Sequence, residues 1–193
     1  MKRTVFIDKD GTLIYDVPFN VDPKAITLYP DAGRALHLLQ QAGFRLLVVS
    51  NQSGVAQGYF QENALEAVTN RLQHLLRPFG VHLDGFYYCP HHPDGRVPAY
   101  AVSCSCRKPQ PGMLQQAARE HGIDLTASWM IRDILNDVEA GNRAGCRTIL
   151  LDNGHETEWQ SGPYREPTHT VSTWTEAVEF FENPTVKGLT LTL

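Results

Sequence analysis

A short apolar run, Thr4-Val5-Phe6-Ile7, ends abruptly in two carboxylates one residue apart, Asp8-Lys9-Asp10, followed by a Gly11-Thr12 turn. A run without polar alternation reads as a strand buried on both faces, which points to a parallel sheet covered by helices. Side chains along a strand alternate with period two, so Asp8 and Asp10 leave it on one side, and Gly11 marks a sharp turn at its carboxyl end. In open α/β sheets that end is where ligands bind. Two such close carboxylates repel, which a divalent cation or a shared proton relieves. One acid can then attack while the other handles a proton. Taken alone, the stretch is also an ordinary Asp-x-Asp-Gly turn.

The rest of the chain supplies the sheet. Asp31 is placed to cap a helix carrying Ala35, Leu36, Leu38 and Leu39 that stops at Gly43. The run Phe44 to Ser50 reads as a second buried strand. Leu65, Val68, Leu72, Leu75 and Phe79 fall near helical spacing. Gly85–Tyr88 reads as a third strand, and Pro90 to Pro111 as a long functional loop. A helix near Met113–Glu120, a strand Trp129–Ile131, a helix near Val138–Ala144 and a strand Thr148–Leu151 follow. Asp152 to Thr170 reads as a surface connection, Trp174–Phe181 as a last helix, and Gly188–Leu193 as an edge strand or frayed tail. Repeated β-α units predict an α/β fold, a doubly wound parallel sheet with helices on both faces. The expected organisation is one domain over 1–182, with its loop at 89–110 and no large cap domain, and a tail over 183–193.

The net charge of −4 gives no basic field for nucleic acid, and no apolar run approaches membrane-spanning length. Met1-Lys-Arg-Thr enters the first strand without a signal-peptide core, so the expected setting is the cytoplasm, the partner a small molecule and the state a monomer.

Three further constellations follow later strands. Ser50-Asn51-Gln52-Ser53-Gly54 offers hydroxyl, amide and backbone donors suited to phosphate oxygens. Arg107-Lys108, held by Pro109 and Pro111 ahead of a helix, offers a guanidinium fork and a point charge for anions. Arg132-Asp133-Ile134-Leu135-Asn136-Asp137 offers carboxylates that can complete a metal site with Asp8. Each has a plain alternative: a polar turn, a solvated basic pair, or a helix cap provided by Asn136 or Asp137. Their order, each after a different strand, is what a parallel sheet would gather along one rim.

Cys89-Pro-His91 and Cys104-Ser-Cys106 make a Cys₃His set suited to closed tetrahedral zinc, with His92 as the alternative imidazole. A Cys104–Cys106 disulfide would be strained by its single intervening residue. Cys146 reads as core.

Asp8-Lys-Asp10-Gly-Thr12, Ser50, Lys108 and Asp133…Asp137 together resemble the four motifs of the haloacid dehalogenase (HAD) superfamily phosphatases, over roughly residues 3 to 153. The zinc loop running into Cys-Arg-Lys-Pro resembles the branch (subfamily IIIA) that holds heptose-bisphosphate and histidinol-phosphate phosphatases. The turn Asn51–Gly58 and the stretch Tyr87–Pro93 are more similar to the heptose group. The resemblance implies a Mg²⁺-dependent phosphatase that removes the 7-phosphate of a heptose 1,7-bisphosphate, feeding nucleotide-activated heptose synthesis. Asp8 would be the nucleophile and Asp10 the general acid and base. Ser50 and Lys108 would grip the phosphoryl group. Mg²⁺ would sit on Asp8, Asp10 (through its carbonyl) and Asp133, with Asp137 supporting. Asp16, Phe19, Asn51, Gln52, Ser53 and Arg107 would contact substrate, Arg107 at the second phosphate, and zinc on Cys89, His91, Cys104 and Cys106 would be structural.

Two departures matter. The family has Gly where Arg132 stands, which adds a bulky cation beside the metal acids and implies a weakened magnesium site. It often has a basic residue where Ile134 stands. The open alternatives are a histidinol-phosphate phosphatase and a catalytically impaired relative that binds a phosphosugar or a partner protein.

Overall fold

The computed structural model describes residues 2–157 and 159–182. The strands are β1 (Thr4–Ile7), β2 (Arg45–Asn51), β3 (Gly85–Cys89), β4 (Trp129–Arg132), β5 (Arg147–Leu151) and β6 (His169–Val171). The helices are α1 (Ala32–Gln41), α2 (Ala64–Leu76), α3 (Gly112–His121), α4 (Leu135–Ala144) and α5 (Trp174–Glu182). The strands form one sheet in the order β3-β2-β1-β4-β5-β6, and every neighbouring pair is parallel. The order reverses between β1 and β4, so the crevice beyond their carboxyl ends is the topological switch point.

Strand alternation explains why the apolar runs are continuous. Val5, Ile7, Leu46, Val48 and Ile131 face α1, α2 and α5, while Phe6, Leu47, Val49 and Met130 pack with Met113, Leu114 and Ala117 of α3. Both faces are covered, and each fully buried aliphatic side chain contributes about 1.5–3 kcal/mol. The doubly wound fold expected from the sequence is present.

Four local readings need correction. The stretch expected to be only a surface connection contains β6, whose His169 and Val171 pair with Ile149 and Leu151. Its short, polar, edge position leaves no apolar signature. Asp31 occupies the N-cap position of α1, but its backbone is left-handed and its side chain makes no capping bond. At α4 neither Asn136 nor Asp137 caps: the helix begins at Leu135, whose N–H donates to Glu156 Oε2 at 2.7 Å. Phe79 lies beyond α2 in a 3₁₀ turn, Arg77–Phe79. The strand or tail expected at 188–193 lies outside the described residues.

Candidate active site

β1 delivers the first acid. Asp8 N–H still bonds Ile131 O at 3.1 Å, which keeps it in register with β4, and the chain then folds back through Leu13 and Ile14 N–H bonds to Lys9 O. Gly11 makes this turn with φ +76°, and a Cβ there would collide with the Asp133 carboxylate. Only glycine satisfies both the left-handed backbone and the close approach.

β2 and the thiol loop deliver the groups expected to face phosphate. Ser50 Oγ accepts from Gln52 Nε2 at 2.7 Å, and that amide also lies 3.4 Å from Asp10 Oδ2. Asn51 clamps the backbone of Lys108 from both sides, accepting from its N–H at 3.0 Å and donating to its carbonyl at 3.2 Å. The Lys108 ammonium then reaches Asp8 Oδ1, Val49 O at 3.2 Å and Asp137 Oδ2 at 3.0 Å.

β4 delivers the distal acids. Asp133 accepts from Thr12 Oγ1 at 3.0 Å, and its other oxygen lies 2.8 Å from His155 Nδ1. Ligand oxygens of Asp8, Asp133 and Asp137 all fall within 4.8 Å of one another, a spacing that one divalent cation can bridge. Arg132 is fully buried, its Nη2 2.8 Å from Asp137 Oδ2 and its Nη1 donating to Ile134 O, while its charge also acts on Asp133.

A cavity of about 250 Å³ is lined by Asp8, Asp10, Asp16, Ser50, Asn51, Lys108, Asp133, Ile134, Asp137 and His155. A second, of about 290 Å³, shares Asp10, Asp16 and Asn51 with it and adds Lys9, Phe19, Gln52, Ser53 and Phe60 among its walls. Nine of the ten residues expected for chemistry or substrate contact thus line one or both. Arg107 lines neither: its Nη1 donates to His91 O at 3.3 Å. Asp10 is near the cation group but its carboxylate is directed elsewhere, with Lys9 Nζ 2.5 Å from Oδ1.

Burial sets the electrostatics. Desolvation raises the pKa of Asp10 against the opposing pull of Lys9, with the Asp8 charge adding to the rise. Desolvation and then the Asp8 charge raise that of Asp133. Desolvation lowers that of Lys108, although Asp8 supports its charge. A carboxyl whose burial favours its protonated form suits proton donation to a leaving oxygen. A buried pair of carboxylates suits a cation.

The four thiol-loop ligands also converge. Sγ separations among Cys89, Cys104 and Cys106 are 2.9, 3.2 and 3.5 Å, and His91 Nδ1 lies 3.3 Å from Cys106 Sγ and 3.7 Å from Cys89 Sγ. Tetrahedral zinc with Zn–S of about 2.3 Å sets sulfurs roughly 3.8 Å apart, so the donor type fits and the cage needs to open by only part of an ångström. His92 is turned away, accepting from Asp94 N–H at 3.1 Å. Cys146 is buried and unpaired, as expected for core, and burial pushes its thiol up to about 12.

The chain is also similar to known proteins. The HAD-hydrolase-like family profile matches residues 105–177. The chain is 44% identical over 147 residues to D-glycero-β-D-manno-heptose-1,7-bisphosphate 7-phosphatase of Photorhabdus laumondii, covering 76% of this chain and 78% of that one. The chain belongs to the HAD phosphatases. The same-named protein of Escherichia coli K12 is 40% identical over 76% of this chain and 77% of its own length. A D,D-heptose 1,7-bisphosphate phosphatase structure from B. bronchiseptica, complexed with magnesium and phosphate, superposes with a TM-score of 0.81. It is 32% identical, with 95% of this chain and 99% of that one covered.

Several residues of this HAD phosphatase site escaped sequence reasoning. Asn153 donates to Gly11 O at 2.6 Å, His155 meets Asp133, and Trp174 Nε1 holds Thr12 O at 3.0 Å. The signal for the first two was present: Asp152-Asn-Gly-His-Glu follows β5 just as the other motifs follow their strands. Lys9, buried against Asp10, was hidden inside the motif itself.

Proposed function

We propose that this chain is a phosphomonoester hydrolase that removes the 7-phosphate of D-glycero-β-D-manno-heptose 1,7-bisphosphate. The observation that carries the reading is the meeting of Asp8, Asp133 and Lys108 at the switch point, in a chain whose relatives bear that name. Among relatives from one organism, identity is 44% to the β-anomer phosphatase and 33% to the α-anomer one, which favours the β substrate.

An Asp8 oxygen attacks phosphorus as the bond to the sugar oxygen breaks, and Asp10 gives that oxygen its proton. Asp10 then takes a proton from water, the water oxygen attacks phosphorus, and the Asp8–phosphate bond breaks to release inorganic phosphate. Ser50 and Lys108 hold the moving phosphoryl oxygens, placing donors where charge develops. Asp8 and Asp133, with the Asp10 carbonyl, would hold Mg²⁺, which neutralises phosphate charge when bound. Asp16, Phe19, Asn51, Gln52 and Ser53 form the sugar side, and Arg107 would turn from His91 O to meet the second phosphate. Zinc on Cys89, His91, Cys104 and Cys106 would hold the loop that presents Lys108. The substrate under this reading is a small diffusible sugar phosphate.

The test is turnover of the β and α heptose bisphosphates and histidinol phosphate side by side. The β sugar should give a kcat/KM at least about tenfold above either competitor, which one well-read polar difference can supply. Preference for histidinol phosphate would overturn the assignment.

A further inference from the structure

Arg132 closes β4 with no solvent exposure and is the bulkiest fully buried side chain among the described residues. Its Nη1 donates to Ile134 O at 3.2 Å, and its Nε has no hydrogen-bond partner. Its Nη2 lies 2.8 Å from Asp137 Oδ2, an ion contact off the hydrogen-bond axis. That oxygen also takes Lys108 Nζ at 3.0 Å. One carboxylate oxygen therefore sits between two cations, and the row Arg132–Asp137–Lys108–Asp8 alternates in sign.

We propose that Arg132 is a positioning residue that holds the Asp137 carboxylate against Lys108 and so keeps it from joining Asp8 and Asp133 on the cation. The inference rests on the magnesium reading above. All three carboxylates are close enough to share one ion. What else holds each of them decides which ones do. Asp133 is held by a hydroxyl and an imidazole, and Asp8 by one ammonium. Asp137 alone has two cationic side chains on a single oxygen. Turning it towards a metal would take from the buried guanidinium the one carboxylate in ion contact with it, leaving only the longer-range charges of Asp8 and Asp133, a penalised state. A guanidinium keeps its charge at neutral pH even when buried, as Arg132 is. The cation is left with two carboxylates and depends more on the substrate's phosphate for its remaining ligands.

The experiment is calorimetric titration of Mg²⁺ into the full chain without sugar phosphate, comparing wild type, Arg132→Met, Asp137→Asn and the double variant. Freed from the guanidinium, Asp137 can join the ion, so Arg132→Met should tighten Mg²⁺ binding by about tenfold. In the Asp137→Asn background the same change should give about twofold, the remainder from lost charge repulsion alone. Damage to the fold would weaken binding instead. Should Arg132→Met not fold, Arg132→Gln makes the same test with a polar side chain of similar length. An unchanged affinity, or the same gain in both backgrounds, overturns the inference while leaving the magnesium reading intact. A wild type that binds no Mg²⁺ even with substrate present overturns that reading, and the inference with it.

Discussion

The molecule holds two polar clusters by opposite means. The rim acids sit on strand ends: Asp8 and Asp133 follow β1 and β4, whose residues Val5, Phe6 and Ile7 pair with Trp129, Met130 and Ile131. Backbone hydrogen bonds fix that geometry whether or not a cation is bound, even though burial strains the charges of Asp133 and Lys108. In the thiol cluster Cys89 ends β3, while His91, Cys104 and Cys106 sit on the loop between β3 and α3, which contains only turns and bends. No strand or helix holds His91, Cys104 and Cys106 against Cys89, so a metal bound there would supply much of their order. On the proposed reading, one metal would serve chemistry on a scaffold that stands without it, and the other would steady a loop that leans on it. The clamp from Asn51 to the Lys108 backbone joins the two.

The comparison can be broken most severely at the nucleophile. Asp8→Asn should lower turnover by about 10⁴-fold or more, as loss of a covalent nucleophile does elsewhere, with the melting temperature little changed. Steady-state kinetics and a thermal melt check both halves. In the thiol loop the order reverses. Cys106→Ser should lose the bound metal, measured by elemental analysis, and drop the melting temperature by about 10 °C, a loss of roughly 3 kcal/mol in a chain this size. An unshifted melt would mean that the loop holds itself.

Two smaller effects sharpen the picture at the rim. His155→Ala should weaken Mg²⁺ binding by about tenfold, because partners that orient a metal carboxylate commonly matter that much. Isothermal titration reads it directly. Asp133→Asn should stabilise the Mg²⁺-free protein by about 1 kcal/mol at neutral pH, the usual size of a site-acid trade-off. The sign follows from linkage. Asp133 has a raised folded pKa, so its contribution is most favourable below the unfolded value and is lost as pH rises through the folded one. The variant's advantage should therefore fade on acidification, in denaturant melts run at several pH values.

How much of this was legible in the sequence follows from the same physics. Continuous apolar strands and spaced helix residues make a doubly wound sheet nearly unavoidable, and that sheet carries Asp8, Ser50, Lys108 and Asp133 to one edge. The paired Cys-x-His and Cys-x-Cys spacings made the thiol cluster readable as well. Less visible were residues whose role depends on side-chain reach across the rim. Arg132 read as a threat to Asp133, yet its guanidinium goes to Asp137 and Ile134. His155 stands in a polar connection without periodicity, so only its place after β5 hinted at a role. The β6 strand was too short and polar to register, and the α4 cap comes from Glu156, remote in sequence from Leu135.

The most direct test of the account is phosphate release from D-glycero-β-D-manno-heptose 1,7-bisphosphate by wild type and Asp8→Asn, each with and without Mg²⁺. The account predicts one phosphate per sugar from wild type, taken from the 7-position and only with Mg²⁺, and none from the variant. Release that persists without Mg²⁺, or in the variant, would contradict it.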